Sequence, residues 1–300
     1  MAEQDTGALA EQLVTLGDLL RFAVTAFESA GLTYGHGTHD AVAEASFLLL
    51  ESLRLPQDRL ELFLDARLLL PERFQCIDLI QRRVSTRKPA PYLVGRAYIG
   101  GVPFQVDERV IVPRSFIAHM LQSDLVRGGE GALVEDPTTV TRVLDLCTGS
   151  ACIAIIAAMT FRNARVDAVE LSPQAFEVAR ANIAARPEKD RIRLLAGSLF
   201  EPVAGERYDL IVTNPPYVAA AAMATLPEEY RHEPRMALAG GEDGLDIVRT
   251  ILQEAPSHLV PGGGLLCEIG SGREILEREF PDLRFRWLAD DACFFVRYET

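Results

Sequence analysis

Five short apolar segments in the second half of the chain most constrain the fold. They are TRVLDLC, ARVDAVEL, IRLLAG, YDLIVTN and GGLLCEIG, between residues 141 and 270. The helix-like segments ACIAIIAAMTF and SPQAFEVARANIAAR separate the first three, and LDIVRTILQEA precedes a glycine-rich turn at residues 261–264. Continuous apolar strands that alternate with helices predict a parallel sheet covered on both faces, in a doubly wound α/β domain.

The tail of the chain has a different pattern. The segment FRWLADDACFFVRYE (residues 285–299) contains two further strand-like runs with no helix of any length between them. Consecutive strands joined by a short connection pair antiparallel, because a parallel pair needs a long crossover. We therefore predict a Rossmann-like sheet of seven strands, in which the tail forms an antiparallel hairpin at one edge.

The first part of the chain has helical rather than strand periodicity. Residues 7–86 repeat apolar positions at helical spacing, which predicts about four helices, with Pro56 and Pro71 at helix starts. Strand-like runs then flank Gly100-Gly101, a hairpin signal. The predicted domains are a helical domain at residues 1–88, a hairpin linker at 89–114 and an α/β domain at 115–300. The segment GGEGALVEDPTT (residues 128–139) is the most linker-like stretch.

The charge balance narrows the class of partner. The chain carries a formal net charge of −13. An acidic surface repels nucleic-acid phosphates, so no direct DNA binding is expected, and such a surface suits a basic protein partner.

The cysteines and the apolar runs indicate a compartment. Five cysteines form no CxxC pair, and an odd number indicates free thiols in a reducing cytoplasm. The first residues lack a basic stretch followed by an apolar one, so we expect no signal peptide. Because no apolar run approaches the roughly 20 residues that span a bilayer, we expect no membrane association and a cytoplasmic protein.

The end of the first predicted strand has features of a ligand site. Asp145 can accept hydrogen bonds from a cationic amino group, and the turn Cys147-Thr148-Gly149 follows, in which Gly149 allows a ligand to approach the backbone. The fingerprint G-x-G-x-x-G is absent, because Ala151 and Ala154 occupy the later glycine positions. This argues against a pyrophosphate at the helix that follows.

The next two strand ends extend this site. Glu170 can bind both hydroxyls of a ribose, Ser198 can bind the edge of an adenine, and Leu199 can pack on its face. Taken alone, Asp145 could be a helix cap and Glu170 a solvated loop charge. Acidic residues at two consecutive strand ends, without phosphate-binding glycines, favour S-adenosylmethionine over NAD as the cofactor.

The motif Asn-Pro-Pro-Tyr follows the fourth predicted strand. An amide nitrogen is a poor nucleophile, so its methylation requires both N–H groups to be held while its lone pair points at the methyl group. The Asn214 side-chain oxygen and the Pro215 carbonyl provide two acceptors, and the rings of Pro215 and Pro216 restrict the backbone. Tyr217 offers a flat face to a planar group. Asn214 also borders the cofactor. The alternative is an extended turn with a core tyrosine; the position beside the predicted cofactor site favours catalysis.

Three other features leave alternatives open. His36, His39 and Asp40 lack further metal ligands, so a helix-start loop is favoured over a metal site. Arg114 either contacts the substrate or anchors the hairpin. Residues 227–234, PEEYRHEP, either flank a substrate channel or form a solvated loop.

The combination of D-L-C-T-G-S-A-C-I-A with N-P-P-Y resembles class I S-adenosylmethionine-dependent methyltransferases that act on planar amino groups. Among these the chain is similar to the HemK-related protein-(glutamine-N5) methyltransferases over most of its length. The resemblance implies methylation of a glutamine side chain, with S-adenosylhomocysteine as the second product. Two departures from the family are Ala151, where glycine is usual, and Ser198, where aspartate is usual. A methyl group at position 151 crowds the cofactor if φ is positive there.

Within this family, the sequence around Arg114 distinguishes two bacterial branches. One modifies peptide chain release factors, and the other, the PrmB type, modifies large-subunit ribosomal protein three. Pro113-Arg114-Ser115 resembles the ribosomal branch. The alternatives are a release-factor methyltransferase, a non-catalytic ribosome-assembly factor that retains the fold, and an adenine-N6 DNA methyltransferase, which the acidic charge disfavours.

Overall fold

A computed structural model of the chain describes residues 6–128 and 131–299. Residues 1–5 of the predicted helical domain, Gly129 and Glu130 of the predicted linker, and residue 300 lie outside the described residues. Contacts between Cα atoms divide the chain into two units. The helical unit extends to Ala97 and includes Pro227–His232, whereas the α/β unit contains Tyr98–Leu226 and the chain from Glu233 onward.

The helical unit contains the predicted bundle and one additional short helix. Thr15 caps the second helix in a capping box with Asp18, Asp40 caps the third, and Pro71 lies in the first turn of the fourth. Pro56 was predicted to start a helix, which is wrong, because the segment after it turns and then forms only a 3₁₀ helix at Leu60–Leu62. The helices are α1 Thr6–Gln12, α2 Leu16–Ser29, α3 Ala41–Ser52, α4 Leu70–Thr86 and α5 Ala90–Val94.

Residues 227–232 pack into the helical unit through buried charges. Glu229, Glu44 and Arg83 are all fully buried. Arg83 Nε lies 2.5 Å from Glu44 Oε1, and Arg87 Nη2 lies 2.8 Å from Glu229 Oε1. The backbone N–H of Thr33 also donates to Glu229 Oε1 at 2.9 Å. This segment is therefore not the solvated loop that was one alternative from the sequence.

The α/β unit contains the predicted seven-stranded sheet. Strands β3 to β7 are parallel, and β9 runs antiparallel to both of its neighbours, so the predicted edge hairpin is confirmed. The order is β5-β4-β3-β6-β7-β9-β8. A separate hairpin precedes the sheet and consists of β1 Arg96–Ile99 and β2 Val102–Gln105; the sheet strands are β3 Arg142–Leu146, β4 Arg165–Glu170, β5 Ile192–Ala196, β6 Tyr208–Thr213, β7 Leu259–Glu268, β8 Arg286–Leu288 and β9 Cys293–Arg297.

One predicted turn proves to be strand. Residues 261–264, read as a glycine-rich turn, lie inside β7. The pairing register between β6 and β7 shifts between Tyr208 and Leu210, and a Cβ at Gly263 would lie 3.1 Å from the Tyr208 carbonyl oxygen. The glycines therefore serve a local irregularity of the sheet where backbones approach closely.

Helices connect the strands of this unit. The helix α8 is apolar on all sides and is buried from Cys152 to Ala158, as expected for a helix that packs in the interior of the fold. None of the helices in residues 6–128 and 131–299 is long and apolar enough to cross a membrane. The helices are α6 Phe116–Gln122, α7 Asp124–Arg127, α8 Cys152–Thr160, α9 Pro173–Ala184, α10 Ala220–Met223, α11 Asp246–Glu254 and α12 Arg273–Glu279.

The strand order determines where a ligand can bind. From β3 the chain adds strands first on one side, β4 and β5, and then on the other side, β6 and β7. The order therefore reverses between β3 and β6. In open α/β sheets a crevice forms at such a switch point, beyond the carboxyl ends of the strands.

Candidate active site

A cavity of about 310 Å³ lies at this carboxyl edge. Its size falls at the lower end of the range for small-molecule sites. It is lined by residues at or after the ends of β3, β4, β5 and β6 and by three other segments of the α/β unit. The lining residues are Arg109, Val110, Ile111, Cys147, Gly149, Val169, Glu170, Leu171, Ser172, Ala175, Gly197, Ser198, Leu199, Asn214, Pro216, Pro234, Met236, Ala237 and Ile247.

Asp145, near the end of β3, is fully buried and incompletely satisfied. Its Oδ2 accepts hydrogen bonds from Thr148 Oγ1 at 2.5 Å and from the backbone N–H of Ala154 at 3.0 Å. Its Oδ1 has no hydrogen-bond partner among the residues that the structure describes. Burial raises the pKa of this carboxyl to about 7, and the nearby Glu170 adds to the effect. Asp145 and Thr148 lie outside the lining, whereas Cys147 and Gly149 belong to it.

The turn after β3 has an unusual backbone conformation. Cys147, Gly149 and Ala151 all have positive φ, at 57°, 56° and 63°. A Cβ at Gly149 would meet no atom within 4 Å, so this position leaves room for a ligand beside the backbone. The positive φ at Ala151 was the condition for its methyl group to crowd the cofactor. However, Ala151 is fully buried and is not among the lining residues.

Glu170 lies at the end of β4 in the cavity wall and is held by backbone donors. Its Oε2 accepts the N–H of Gly149 at 2.8 Å, and its Oε1 accepts the N–H of Ser172 at 2.8 Å. Burial raises the pKa of Glu170. A carboxylate oxygen has two acceptor sites, so both oxygens keep capacity for a ligand hydroxyl.

The residues after β5 complete this side of the cavity. Ser198 and Leu199 both line it, as the sequence places them. Gly197 has a φ of 154°, and a Cβ there would lie 2.5 Å from Pro202 Cγ, so only glycine fits. Leu199 itself has a φ of 44°, which is uncommon for a leucine. The strained turn brings both side chains to the cavity.

The structure separates the members of the Asn-Pro-Pro-Tyr motif. Asn214 and Pro216 line the cavity, whereas Pro215 is buried and neither Pro215 nor Tyr217 is among the lining residues. The Tyr217 ring packs closely on Gly270, where a Cβ would lie 2.8 Å from Tyr217 Cδ2. Burial, together with the nearby Glu268, raises the pKa of Tyr217 to about 12. The role of Tyr217 as a wall for the substrate therefore stays a prediction.

Residues 234–244 support the motif from behind, and the sequence analysis missed them. A Cβ at Gly240 would lie 2.7 Å from both Pro216 O and Tyr217 Cα. The backbone N–H of Val218 donates to Leu238 O at 2.8 Å. Pro234, Met236 and Ala237, from the same segment, line the cavity. The cluster G-G-E-D-G was the available signal, because clustered glycines often mark close approach of two backbones.

Arg114 forms an ion pair with Glu233. Its Nη1 and Nη2 each lie 2.6 Å from one carboxylate oxygen of Glu233, and the backbone N–H of Val112 donates to the same carboxylate at 3.0 Å. Glu233 is buried and Arg114 is outside the cavity lining. Such a bidentate pair fixes the chain immediately before Pro234. The geometry supports the anchoring alternative over direct contact with a substrate.

Asp40 and His36, two members of the predicted GHGTHD feature, have structural contacts. Asp40 accepts the N–H of Ala43 at 2.8 Å as the cap of α3, and the ring of His36 lies 4.5 Å from that of Tyr230. Across residues 6–128 and 131–299, no group of three or more His, Cys, Asp or Glu could hold a metal ion. The five cysteines are all free.

Comparison with known proteins relates this geometry to a family. The family described as Methyltransferase small domain matches residues 128–229. The ribosomal protein uL3 glutamine methyltransferase of Bradyrhizobium diazoefficiens is 54% identical over 278 residues, which cover 92% of this chain and 87% of that protein. The enzyme of the same name from Bordetella pertussis is 51% identical over 278 residues, covering 93% of this chain and 92% of that protein.

A solved structure shows the same fold. The hMettl16 catalytic domain, in complex with MAT2A 3′UTR hairpin 1, matches with a TM-score of 0.50 at 16% identity. The match covers 85% of this chain and 91% of that chain. The expected class I methyltransferase fold and the resemblance to glutamine methyltransferases are thereby confirmed. Because half of its residues are identical to those of these relatives over nearly the full length, the chain belongs to the family of ribosomal protein uL3 glutamine methyltransferases.

Proposed function

We propose that this protein transfers a methyl group from S-adenosylmethionine to the side-chain amide nitrogen of a glutamine in ribosomal protein uL3. The products are N5-methylglutamine and S-adenosylhomocysteine. The observation that carries the proposal is the cavity that Asn214 lines together with Gly149, Glu170 and Ser198. The two relatives described above, which are named for the methylation of uL3 glutamine, supply the substrate.

The cavity lining, together with Asp145 two positions before the lining residue Cys147, fits the proposed cofactor. Asp145 Oδ1 is a buried acceptor without a partner among the described residues, and it suits a charged amino group. Glu170 can accept the ribose hydroxyls, and Ser198 and Leu199 can border the adenine. When bound, S-adenosylmethionine supplies a methyl group on a sulfonium, which is open to attack by a nucleophile.

The chain itself orients the glutamine amide. The lone pair of an amide nitrogen is delocalised into the carbonyl, so attack requires that both N–H groups are held by acceptors. The Asn214 side-chain oxygen and the Pro215 carbonyl provide these acceptors, and the two prolines restrict their backbone. Gly240 packs against this backbone and keeps it in position. No general base is needed if the amide loses its proton after methyl transfer.

Charge supports a ribosomal substrate. Ribosomal proteins that bind RNA are basic as a class, and the net charge of −13 favours association with a basic partner. A ribosomal substrate would place the enzyme in the cytoplasm. A glutamine of a release factor could be methylated by the same reaction. The experiment must therefore distinguish a release factor from uL3 as the substrate.

The test is methyl transfer by the purified protein, followed by mass spectrometry of the protein substrate. We expect uL3 to gain the mass of one methyl group on a glutamine and release factors to stay unmodified. Asn214→Ala should abolish transfer, because one of the two acceptors for the amide is lost, while the thermal midpoint stays near that of the wild type. The matched control is Asn163→Ala, since Asn163 is exposed and its side chain donates to Thr138 O alone among the described residues.

Two results would contradict the proposal. If a release factor is modified and uL3 is unchanged, the protein is a release-factor methyltransferase. Full activity of Asn214→Ala would remove Asn214 from the reaction.

A further inference from the structure

Arg109 has no role in the site described so far, although it lines the same cavity. Within the described chain, Arg109 and Glu170 are the only charged residues of the cavity lining. Asp145 is not among the lining residues, but its Oδ1 has no hydrogen-bond partner in the described chain. Without Arg109 the site would therefore contain carboxylates and no cation.

A local ion pair orients the Arg109 side chain. Arg109 Nε donates to Asp107 Oδ1 at 2.8 Å, and Nη2 lies 2.6 Å from Asp107 Oδ2. The Arg109 backbone N–H also donates to Asp107 Oδ1 at 3.0 Å, and Val110 N–H donates to Asp107 O at 3.1 Å. This arrangement engages Nε and Nη2, so the N–H groups of Nη1 stay available for another acceptor. No described residue accepts from them.

The ion pair between Asp107 and Arg109 adds little to the stability of the fold. Both side chains are 47% exposed, and ion pairs of exposed residues contribute little to the free energy of folding. What the pair does is hold a planar guanidinium in one orientation at the cavity wall. A fixed guanidinium with free donors is suited to binding a carboxylate.

We propose that Arg109 binds the carboxylate of the cofactor's amino-acid end through Nη1, with Asp107 as the positioning residue. The inference rests on the proposed function, because it presumes S-adenosylmethionine in this cavity. That amino-acid end carries one ammonium and one carboxylate. Asp145 supplies the acceptor for the ammonium, and Arg109 supplies the only cation of the described lining for the carboxylate.

The test compares two ligands by titration calorimetry. S-adenosylhomocysteine has the amino-acid end, whereas 5′-methylthioadenosine has the same nucleoside without it. Arg109→Ala should weaken binding of S-adenosylhomocysteine by about 10- to 100-fold, the value of a hydrogen-bonded charge pair, and leave 5′-methylthioadenosine unchanged. Asp107→Asn should cause a smaller loss with the same selectivity, because the guanidinium stays but loses its fixed orientation.

The matched control is Arg82→Ala. Arg82 lies on α4, outside the cavity lining, and pairs with Asp78 four residues away on the exposed surface. It should change binding of neither ligand. Thermal midpoints of all variants should match the wild type, because the pairs that are removed are exposed.

The outcomes separate the two proposals. If Arg109→Ala weakens both ligands equally, Arg109 covers the adenosine and the assignment to the carboxylate is overturned. If it weakens neither ligand, Arg109 has no part in binding. If the wild-type protein binds neither ligand, the proposed function itself fails.

Discussion

Two buried aspartates on neighbouring strands of the same sheet have opposite electrostatic environments. Asp145 on β3 is 0% exposed, and Asp167 on β4 is 5% exposed. Arg193 donates to Asp167 at 2.8 and 2.7 Å, Arg142 donates at 3.1 Å and the hydroxyl of Tyr208 donates at 2.7 Å. Burial raises the pKa of Asp167, but Arg193 and Tyr208 outweigh it, so its pKa is lowered.

Asp145 has no such partners. It receives one hydroxyl and one backbone N–H on Oδ2, and its pKa is raised to about 7. Burying a carboxylate costs free energy unless charges or donors offset it. The protein offsets that cost for Asp167 with its own arginines, so Asp167 is structural. At Asp145 the two donors to Oδ2 offset this cost only in part, because Oδ1 has no hydrogen-bond partner among the described residues.

The largest expected effect comes from removing Asp167, the aspartate whose carboxylate is fully hydrogen-bonded. Asp167→Ala leaves the buried Tyr208 hydroxyl without its acceptor and removes one partner each from Arg142 and Arg193. We expect the free energy of unfolding to fall by about 3 kcal/mol, measured by urea denaturation. Binding of S-adenosylhomocysteine to the folded protein should stay within about twofold of the wild type. A variant with normal stability but lost binding would reverse the roles assigned to the two aspartates.

The corresponding change at Asp145 should affect cofactor binding. Asparagine at position 145 has a single acceptor oxygen. If that oxygen accepts from Ala154 N–H and from Thr148, the NH₂ group faces the ligand's ammonium, and two donors then meet without an acceptor. Asp145→Asn should therefore weaken binding of S-adenosylhomocysteine by about 10- to 100-fold in calorimetry. Unchanged affinity would show that the free Asp145 oxygen does not bind the cofactor.

The pH dependence of stability tests the environment of Asp145 directly. Because the pKa of Asp145 rises from 3.8 to about 7 on folding, its contribution is fully present below pH 3.8 and is lost as pH rises toward 7. The free energy of unfolding of the ligand-free wild type, minus that of Asp145→Asn, should fall by up to about 1.4 kcal/mol per pH unit between pH 5 and 7. Urea denaturation at pH 5, 6, 7 and 8 measures this difference. A difference that does not change with pH would mean that Asp145 is already ionised in the ligand-free protein.

Much of the fold could be predicted because its signals are local. Alternating apolar runs predicted β3 to β7, the tail pattern predicted β8 and β9, and Gly100-Gly101 predicted the hairpin. The positions of Asp145 and Glu170 at strand ends also follow from local pattern, because parallel strands place their carboxyl ends at one edge. The predictions for Pro56 and for the glycines of β7 were wrong, because proline and glycine also occur in loops and strands. The structure around such residues depends on neighbours that lie far away in sequence.

Side-chain partners were beyond prediction when they come from distant segments. Arg114 pairs with Glu233, 119 residues later, and Glu229 groups with a helical unit whose helices precede it by more than a hundred positions. Gly240 packs on Pro216 and Tyr217 across a loop. The packing of the Tyr217 ring on Gly270 was likewise not predicted, and the position of Tyr217 beside the substrate stays a prediction.

By itself the sequence determined the doubly wound sheet, the edge that carries the site, and the residue types that suit a nucleoside cofactor and a planar amide. These follow from periodicity and from residues next to one another in the chain. Only the tertiary structure decided which buried charges are satisfied. Three side chains from three other strands donate to Asp167, whereas none of these three donates to Asp145, whose Oδ1 has no partner among the described residues. The physical reason is that the pKa and free energy of a buried carboxylate depend on donors within hydrogen-bond distance, and folding draws those donors from the whole chain.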